Sequence, residues 1–411
     1  MRPVIRILAI GLIFVATAVA WLALSGTIVY RTESQQDKLR HAVDQLWGSP
    51  QTQPAPTACY HEPVKRQVTV WRDKQAVVEE KVEEVGRALP LAGSDIRVRL
   101  AVDHRRKGLL WYATYRVHFE AAYRFRNTTA EARDVWITFP FPAGDARLDN
   151  FRLAVAGQPV TDAPVTDGKI RAVARVAPGE EARVEVAYDS QGLDEWRYRF
   201  GEKVAQVRDF TLTMDTDFDG FDFPAGGISP ASKERRDGGW RLTWRFTNIF
   251  TDDRVGIALP HRLNPGPWVA AVTAAAPVSL FLFFFLVLIL TTRRGITLHP
   301  MHYFFLAAAF FSFHLLLAYL VDHVDIHVAF AVCAAVSLLL VFTYIRLVAG
   351  VRFALVEVGV SQLVYQVGFS YTFFFEGYTG LVISALCVVT LFATMQLTAR
   401  LDWDEVFRRQ A

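Results

Sequence analysis

The acidic run Asp215-x-Asp217-x-Asp219-Gly220 is the first place where residue type and spacing could do chemistry. Three carboxylates at alternate positions can surround a hard cation, and the glycine allows the sharp turn that follows. The pattern then departs from a calcium loop. Its twelfth position, which needs Glu, is Gly226, and its eighth, usually apolar, is Asp222. A strand that ends in a turn accounts for these residues better: Phe210, Leu212 and Met214 alternate toward a core, Thr211, Thr213 and Asp215 face water, and Asp-Gly turns the chain. The histidines pose a similar question. His299-x-x-His302 has spacing that can hold a metal or haem, His314 follows, and His323 and His327 flank Asp325. By helical rise His302 and His323 lie about 30 Å apart, so no single site uses both. Boundary histidines explain the set more simply. Glu357 is the most informative residue, because it stands within an apolar segment. A carboxylate there is costly and faces a bundle interior, a water-filled path or a partner. Gln362 and Gln366 follow on roughly its face, which would suit an ion or proton pathway. The competing reading, which the position near a boundary favours, is a structural ion pair with Arg346 or Arg352.

No Cys-x-x-Cys pair, hydrolase elbow, Walker loop, zincin helix or kinase signature is present. The expectation is a protein with no catalytic activity, no cofactor and no metal. The 411 residues carry 44 basic and 41 acidic side chains, a net charge of +3 that gives no case for nucleic-acid binding. At 52% hydrophobic and 21% charged the chain is neither disordered nor a disulfide scaffold. Of its 3 cysteines only Cys59 lies outside apolar segments, with no partner to pair with.

The elements that must position these residues fall into two kinds. Six apolar runs, Val4–Ala23, Trp268–Leu290, Met301–Val321, Ile326–Ile345, Val351–Phe375 and Gly377–Leu397, each approach the roughly 20 residues that a helix needs to span about 30 Å of hydrocarbon. The first could be a cleaved signal peptide, since Ala18-Val19-Ala20 has the form of a cleavage site. The run continues through Trp21 to Leu24, which favours an uncleaved anchor. Arg2 and Arg6, Arg293 and Arg294, Arg346 and Arg352, and Arg400, Arg408 and Arg409 all fall on one side if the helices alternate. Asp322, Asp325 and Glu376 fall on the other. The positive-inside rule then places both termini in the cytoplasm and residues about 31–266 in the periplasm of a bacterium.

Within that outer segment, Glu33–Trp47 has helical spacing and continues the first helix as a stalk. Gln51–Thr57, with Pro54 and Pro56, reads as a linker. From about residue 64 the period becomes two: Val68 and Val70, Ile96 to Leu100, then Tyr115 to Phe125 and Val135 to Phe139 about an Asn127-Thr128-Thr129 turn, which reads as a hairpin. The same tripeptide has the form of a glycosylation sequon. Further strands are expected at Phe151–Val155, Lys169–Val176, Arg183–Tyr188, Phe210–Met214 and Trp240–Phe246. The fold expected is mixed: an all-β extracytoplasmic domain of one or two β-sandwiches inserted between the first and second of six transmembrane α-helices. Its divisions are an anchor at 1–30, a stalk and linker at 31–57, the β-domain at 58–266, a five-helix membrane domain at 267–399 and a cytoplasmic tail at 400–411.

Several stretches resemble the CreD-like inner-membrane family of cell-envelope integrity and colicin-tolerance proteins. Leu298-His299-Pro300-Met301-His302-Tyr303 is similar to the family's His-Pro-x-x-Tyr helix opening, and the run to Asp322-His323-Val324 to its helix ending in an acidic-His pair. Glu376-Gly377-Tyr378-Thr379-Gly380-Leu381 resembles the element before its last helix. Met395 to Trp403, with Leu401-Asp402-Trp403, resembles its terminal segment. Outside the apolar runs, Arg105-Arg106-Lys107-Gly108-Leu109 leading to Tyr115-Arg116-Val117 is similar to its basic segment and following strand. The matches fall within roughly 100–125 and 254–403. The resemblance implies an inner-membrane protein linked to envelope integrity or stress response, and supplies no biochemical activity.

The function expected is therefore that of an envelope protein whose β-domain binds a periplasmic or membrane partner, with the lipid bilayer around its helices and no nucleic acid. The alternative is a transporter or channel using the polar residues Glu357, Gln362 and Gln366. A membrane enzyme using the outer aspartates with a metal is a third reading. Because the outer domain would be tethered at both ends, binding there could also tilt the bundle, as a sensor requires.

Overall fold

The computed structural model describes residues 3–72, 75–107, 110–161, 163–375 and 377–399, with the side chains of 3–4, 35–37, 41 and 68–79 also outside the description. Arg2, the side chains of Val68 and Val70, Gly108-Leu109, Glu376 and everything from Arg400 on, including Leu401-Asp402-Trp403, thus lie outside the described residues. The chain divides into a β-rich unit, 39–262, and a helical unit formed by the residues through 38 and from 263 onward.

In the β-rich unit the expected alternation sets the two faces of each strand. Along Glu181–Leu193, Val184, Val186 and Tyr188 are buried while Arg183 and Glu185 are exposed. An eight-stranded sheet runs in the order Gln158–Pro159, Asp149–Val155, Glu181–Leu193, Thr114–Arg126, Leu91–Val102, Ala205–Thr216, Gly239–Thr251, Ser232–Arg236. All its pairings are antiparallel except Leu91–Val102 with Ala205–Thr216. A five-stranded sheet orders Val165–Thr166, Lys169–Val176, Arg133–Pro140, Thr57–Arg72, Gln75–Leu89. Smaller sheets of three and two strands complete the unit. One continuous core joins the inward residues of the large sheets: Phe119, Tyr188 and Leu212 from one, Ile137, Phe139 and Ile170 from the other. A single shared core means one domain rather than two. Phe119 and Tyr188 stack at 4.9 Å inside it, and each such buried ring contributes on the order of 2–3 kcal/mol. Gly192 leaves room beside it for the ring of Tyr115, whose hydroxyl donates to the Glu195 carbonyl at 2.9 Å.

Two expectations are corrected here. Gln51–Thr57 is not a free linker, because Gln51–Pro54 is a strand paired in parallel with Glu195–Arg199. Gln51 and Gln53 point inward and are matched there: the Tyr188 hydroxyl donates to Gln53 Oε1 at 2.7 Å, and Gln51 Nε2 donates to Ser190 Oγ at 2.8 Å. Polar composition hid a buried strand whose amide nitrogens both donate inside the core. Nor do Thr114–Arg126 and Arg133–Pro140 form a hairpin, since they belong to different sheets. Asn127, fully buried, turns the chain between them. Its Nδ2 donates to the carbonyls of Glu131 (2.9 Å) and Val176 (3.0 Å), and its Oδ1 accepts from the Thr129 backbone N–H (2.9 Å). The sequon amide is thus committed inside the fold. The period-two stretch from residue 64 is real: Thr57–Arg72 and Gln75–Leu89 pair from Ala58↔Leu89 to Arg72↔Gln75. Only Thr57 to Tyr60 also pairs with Arg133–Pro140, so the rest is a two-stranded arm.

The helical unit holds helices long and apolar enough to cross a membrane, six among the described residues. The first runs Pro3–Trp47, its last turns counted with the β-rich unit, and it precedes the strands in the chain. The others, Pro265–Arg293, Pro300–Leu320, Ile326–Ala349, Phe353–Phe374 and Thr379–Thr398, follow them. Start signals are local. His299 Nδ1 accepts the Met301 N–H ahead of Pro300, and Asp325 Oδ1 accepts that of His327 at 2.9 Å. Trp21 of the first helix is fully buried against Phe311 and His314 of the third. The fifth helix is the irregular one. Phe353–Gly359 and Leu363–Gly368 are π-helical, widening the turn at the segment that carries Glu357, Gln362 and Gln366.

Candidate functional site

The three aspartates of the acidic run do not converge. Asp215 is bound by Arg241 (Nε to Oδ1, 2.7 Å), Asp217 Oδ1 accepts the Val102 N–H (2.9 Å), and Asp219 takes Trp240 Nε1 (2.7 Å) and Arg235. Each carboxylate has its own cation or N–H, which disposes of the calcium-loop reading. No group of three or more metal-ligating side chains occurs among the described residues. The histidines are likewise separate. His299 caps a helix, His302 Nδ1 meets the Tyr344 hydroxyl at 2.7 Å, His314 is buried with Nδ1 donating to the Phe310 carbonyl, and His327 stacks on Phe374.

Glu357 is ion-paired, but with neither expected partner. Arg294, just after the second helix, holds its Oε1. The Glu357 side chain is 14% exposed and that of Arg294 56%, so the arginine reaches the carboxylate from a wetter position. Gln362 and Gln366 are fully buried and bonded to each other and to the third and fourth helices. Gln362 Nε2 donates to Gln366 Oε1 (2.8 Å) and to Ser337 Oγ (3.0 Å), and Gln366 Nε2 donates to the Phe310 carbonyl (3.0 Å). The structure therefore brings the glutamines together and leaves Glu357 to a separate pair.

A second constellation, unmarked in the sequence, lies on the outward face of the eight-stranded sheet. Register sets a row of alternating charge across five strands: Arg241, Asp215, Arg99, His118, Asp189. His118 sits between carboxylates, with Nδ1 2.6 Å from Asp189 Oδ1 and Nε2 3.0 Å from Glu120 Oε1. Asn150 Nδ2 steadies the other Asp189 oxygen at 2.7 Å. The hydrogen bond to Asp189 raises the imidazole pKa above its ordinary value, with Glu120 adding and burial opposing. Asp189 is lowered by the Asn150 hydrogen bond and then by His118, and Glu120 is lowered by His118. The next row reads Thr213, Arg97, Glu120, Ala187, Arg152. The row after that carries Asp95, Ala122, Glu185 and Ala154. The small residues leave a hollow of about 770 Å³ floored by Ala122, Ala154 and Ala187 and walled on one side by Pro159 and Val160. Sequence reasoning had no access to it, because the alanines are 65 residues apart at their extremes and meet only through strand pairing.

Six apolar helices with a large β-rich unit make the chain a multi-pass membrane protein. Residues 275–404 match the family model described as the inner membrane protein CreD, and over that stretch the chain is CreD-like. The resemblance drawn on Arg105 to Val117 lies outside the matched residues. No curated protein matches in sequence. Among solved structures, the chain is similar to a putative nutrient binding protein from Legionella pneumophila at 11% identity and a TM-score of 0.36, covering 56% of this chain and 79% of that one. It is also similar to an M1 zinc metallopeptidase from Deinococcus radiodurans at 16% identity and a TM-score of 0.23, covering 42% of this chain and 43% of the peptidase. A variant of that peptidase gives 14% and 0.27, with the same shares. The chain thus spans under half the length of the peptidases, and none of these likenesses carries a functional reading.

Proposed function

We propose that this chain is an inner-membrane protein of the bacterial envelope whose β-domain stands in the periplasm, between the first and second spans, and binds an envelope partner there. Support for the setting comes from the CreD-like segment and from charge. Arg294 and Arg346 fall at one end of alternating helices, Asp322 and Asp325 at the other. The observation that carries the binding role is the outward face of the eight-stranded sheet, where rows of alternating charge surround a hollow on a surface that supports no enclosed reaction centre. The reading is one of binding without catalysis. His118, the strongest general-base candidate in that unit, has both ring nitrogens engaged by carboxylates, so it offers no free lone pair to a substrate.

The test is photo-crosslinking in cells with the full-length chain. A photoreactive residue is placed at Arg116, Gln191 or Arg245 on the charged face, and at Lys65 or Glu83 on the arm as a contrast. Recovery of one recurring adduct from the face positions supports the proposal. Equal, scattered products from both sets remove it, and unchanged envelope permeability and detergent sensitivity after gene deletion remove the envelope role. The transport reading keeps one observation in its favour, the buried network of Gln362, Gln366 and Ser337 at the irregular fifth helix. It predicts a flux that Gln366→Leu abolishes in a folded protein.

A further inference from the structure

Charge on the walls of the sheet-face hollow is not evenly spent. Three arginines and three carboxylates line it: Arg97, Arg152 and Arg183 with Asp95, Glu120 and Glu185. Glu120 is engaged by His118, and Glu185 by Arg183 at 2.7 Å. Among the described residues Arg97 and Arg152 close no ion pair and donate no hydrogen bond, and they feel Glu120 and Asp189 only at longer range. They stand in one row, with Glu120 and Ala187 between them. Three strand spacings separate them, roughly 14 Å between backbones. Between them Glu120 is held by His118, and the alanine floor offers methyl contact.

We infer that the hollow binds an extended acidic peptide segment of an envelope protein, with carboxylates on Arg97 and Arg152 and small residues on the alanine floor. The inference rests on the reading of this face as the partner-binding surface. The spacing selects the ligand. An extended chain advances about 3.3 Å per residue and presents every second side chain to one face, so acidic residues at positions i and i+4 lie about 13 Å apart and point the same way. Arginine suits the role because its planar fork takes a carboxylate bidentately. Asp95, one row away, closes no ion pair among the described residues, and with Glu120 and Glu185 it places negative charge beside the hollow. That disfavours a uniformly charged polymer such as nucleic acid or polyphosphate and suits a peptide with two separated charges. The open, wet setting makes binding weak and salt-sensitive.

The experiment uses the full chain in lipid nanodiscs and a fluorescent blocked pentapeptide, Glu-Ser-Ala-Ser-Glu, with a matched Gln-Ser-Ala-Ser-Gln control. Saturable binding of the first, at least tenfold tighter than the control, is expected. The double variant Arg97→Glu/Arg152→Glu is expected to lose at least tenfold. Ala187→Leu, which keeps both arginines and fills the floor, is expected to lose as much while leaving the thermal melt unchanged. Absence of saturable binding, equal binding of the control, or wild-type binding by folded Ala187→Leu each overturns the inference. The in-cell crosslinks separate the two claims. An adduct that persists at Arg116 and Gln191 in the double-glutamate variant refutes the hollow and preserves a partner for the face, whereas saturable, arginine-dependent peptide binding without any adduct preserves the hollow and refutes the wider reading.

Discussion

His118 and Asp189 meet at 2.6 Å across paired strands on the outward face of the β-rich unit, with Glu120 at 3.0 Å on the other ring nitrogen. Arg99 is the register neighbour of His118 on its other side, and Arg97 and Arg152 flank the two carboxylates. The net effect on the imidazole is a raised pKa, led by the Asp189 hydrogen bond.

A raised folded pKa means that the native state holds the proton more tightly than the unfolded chain does. The resulting stability is fully present below the unfolded value of about 6.5 and is lost as pH rises through the folded value. Asp189 and Glu120, lowered, contribute above the ordinary carboxylate range and lose that contribution in acid. The His118 side chain is 32% exposed, so screening limits its share to at most about 1 kcal/mol. The thermal melt of the β-rich unit is expected to fall as pH is raised from about 6.5 through the shifted value, and His118→Gln is expected to flatten that limb. Parallel pH profiles of the two proteins would contradict the assignment.

Asn127 is expected to be the most sensitive polar position in the β-rich unit. Asn127→Ala removes a buried donor from the Val176 carbonyl, takes the acceptor from the Thr129 N–H, and leaves the Glu131 carbonyl with the Thr129 hydroxyl. Each unsatisfied group costs about 1–3 kcal/mol, and partial rehydration of the turn brings the expected total to roughly 2–4 kcal/mol. Thr129→Ala, whose hydroxyl sits at the rim of the same turn, should cost under about 1 kcal/mol. Chemical denaturation midpoints check both. Equal losses would show that the crossover between sheets does not depend on the Asn127 amide.

Much of the architecture was legible because it depends on local pattern. The helical runs follow from length and composition, and Lys169–Val176 appears in the structure with the bounds that its alternation predicts. What stayed hidden is pairing at a distance. Alternation gives no guide at Asn127, where the neighbouring strands Thr114–Arg126 and Arg133–Pro140 look like a hairpin until a buried amide sends them to different sheets. The partner of Glu357 is Arg294, 63 residues away, whereas periodicity could propose only arginines next in the chain. Ala122, Ala154 and Ala187 carry no signal of their own, since a hollow is a property of three paired strands.

The Arg294–Glu357 pair is expected to be asymmetric. Glu357→Gln leaves an arginine that is 56% exposed and can turn to water, at a cost under about 1 kcal/mol. Arg294→Ala leaves a carboxylate that is 14% exposed with no cation, and uncompensated buried charge costs about 3–5 kcal/mol, or roughly 2–4 with the residual exposure here. Unfolding of the helical unit in mixed detergent micelles measures both. A larger loss for Glu357→Gln would reverse the argument. If neither variant alters a proton or ion flux in proteoliposomes, the pair is structural.

The glutamine network should show non-additivity. Gln366 accepts from Gln362 and from Ser337 and donates to the Phe310 carbonyl, so Gln366→Leu removes three bonds and leaves Gln362 Nε2 only the Ser337 hydroxyl as acceptor. Side-chain hydrogen bonds within membranes are worth about 0.6 kcal/mol on average and up to about 1.7, which places the single substitution near 1–2 kcal/mol. Adding Gln362→Leu removes this under-bonded amide, whose buried Oε1 has no hydrogen-bond partner among the described residues. Ser337 Oγ keeps an acceptor in the Ala309 carbonyl at 2.7 Å. The double variant is therefore expected to be no less stable than Gln366→Leu alone, because polar groups lost together leave no unpaired remainder. A double-mutant cycle by detergent unfolding reads this coupling. Strictly additive losses would mean that the two amides act independently, and that something other than their mutual bonding keeps them buried in the fifth helix.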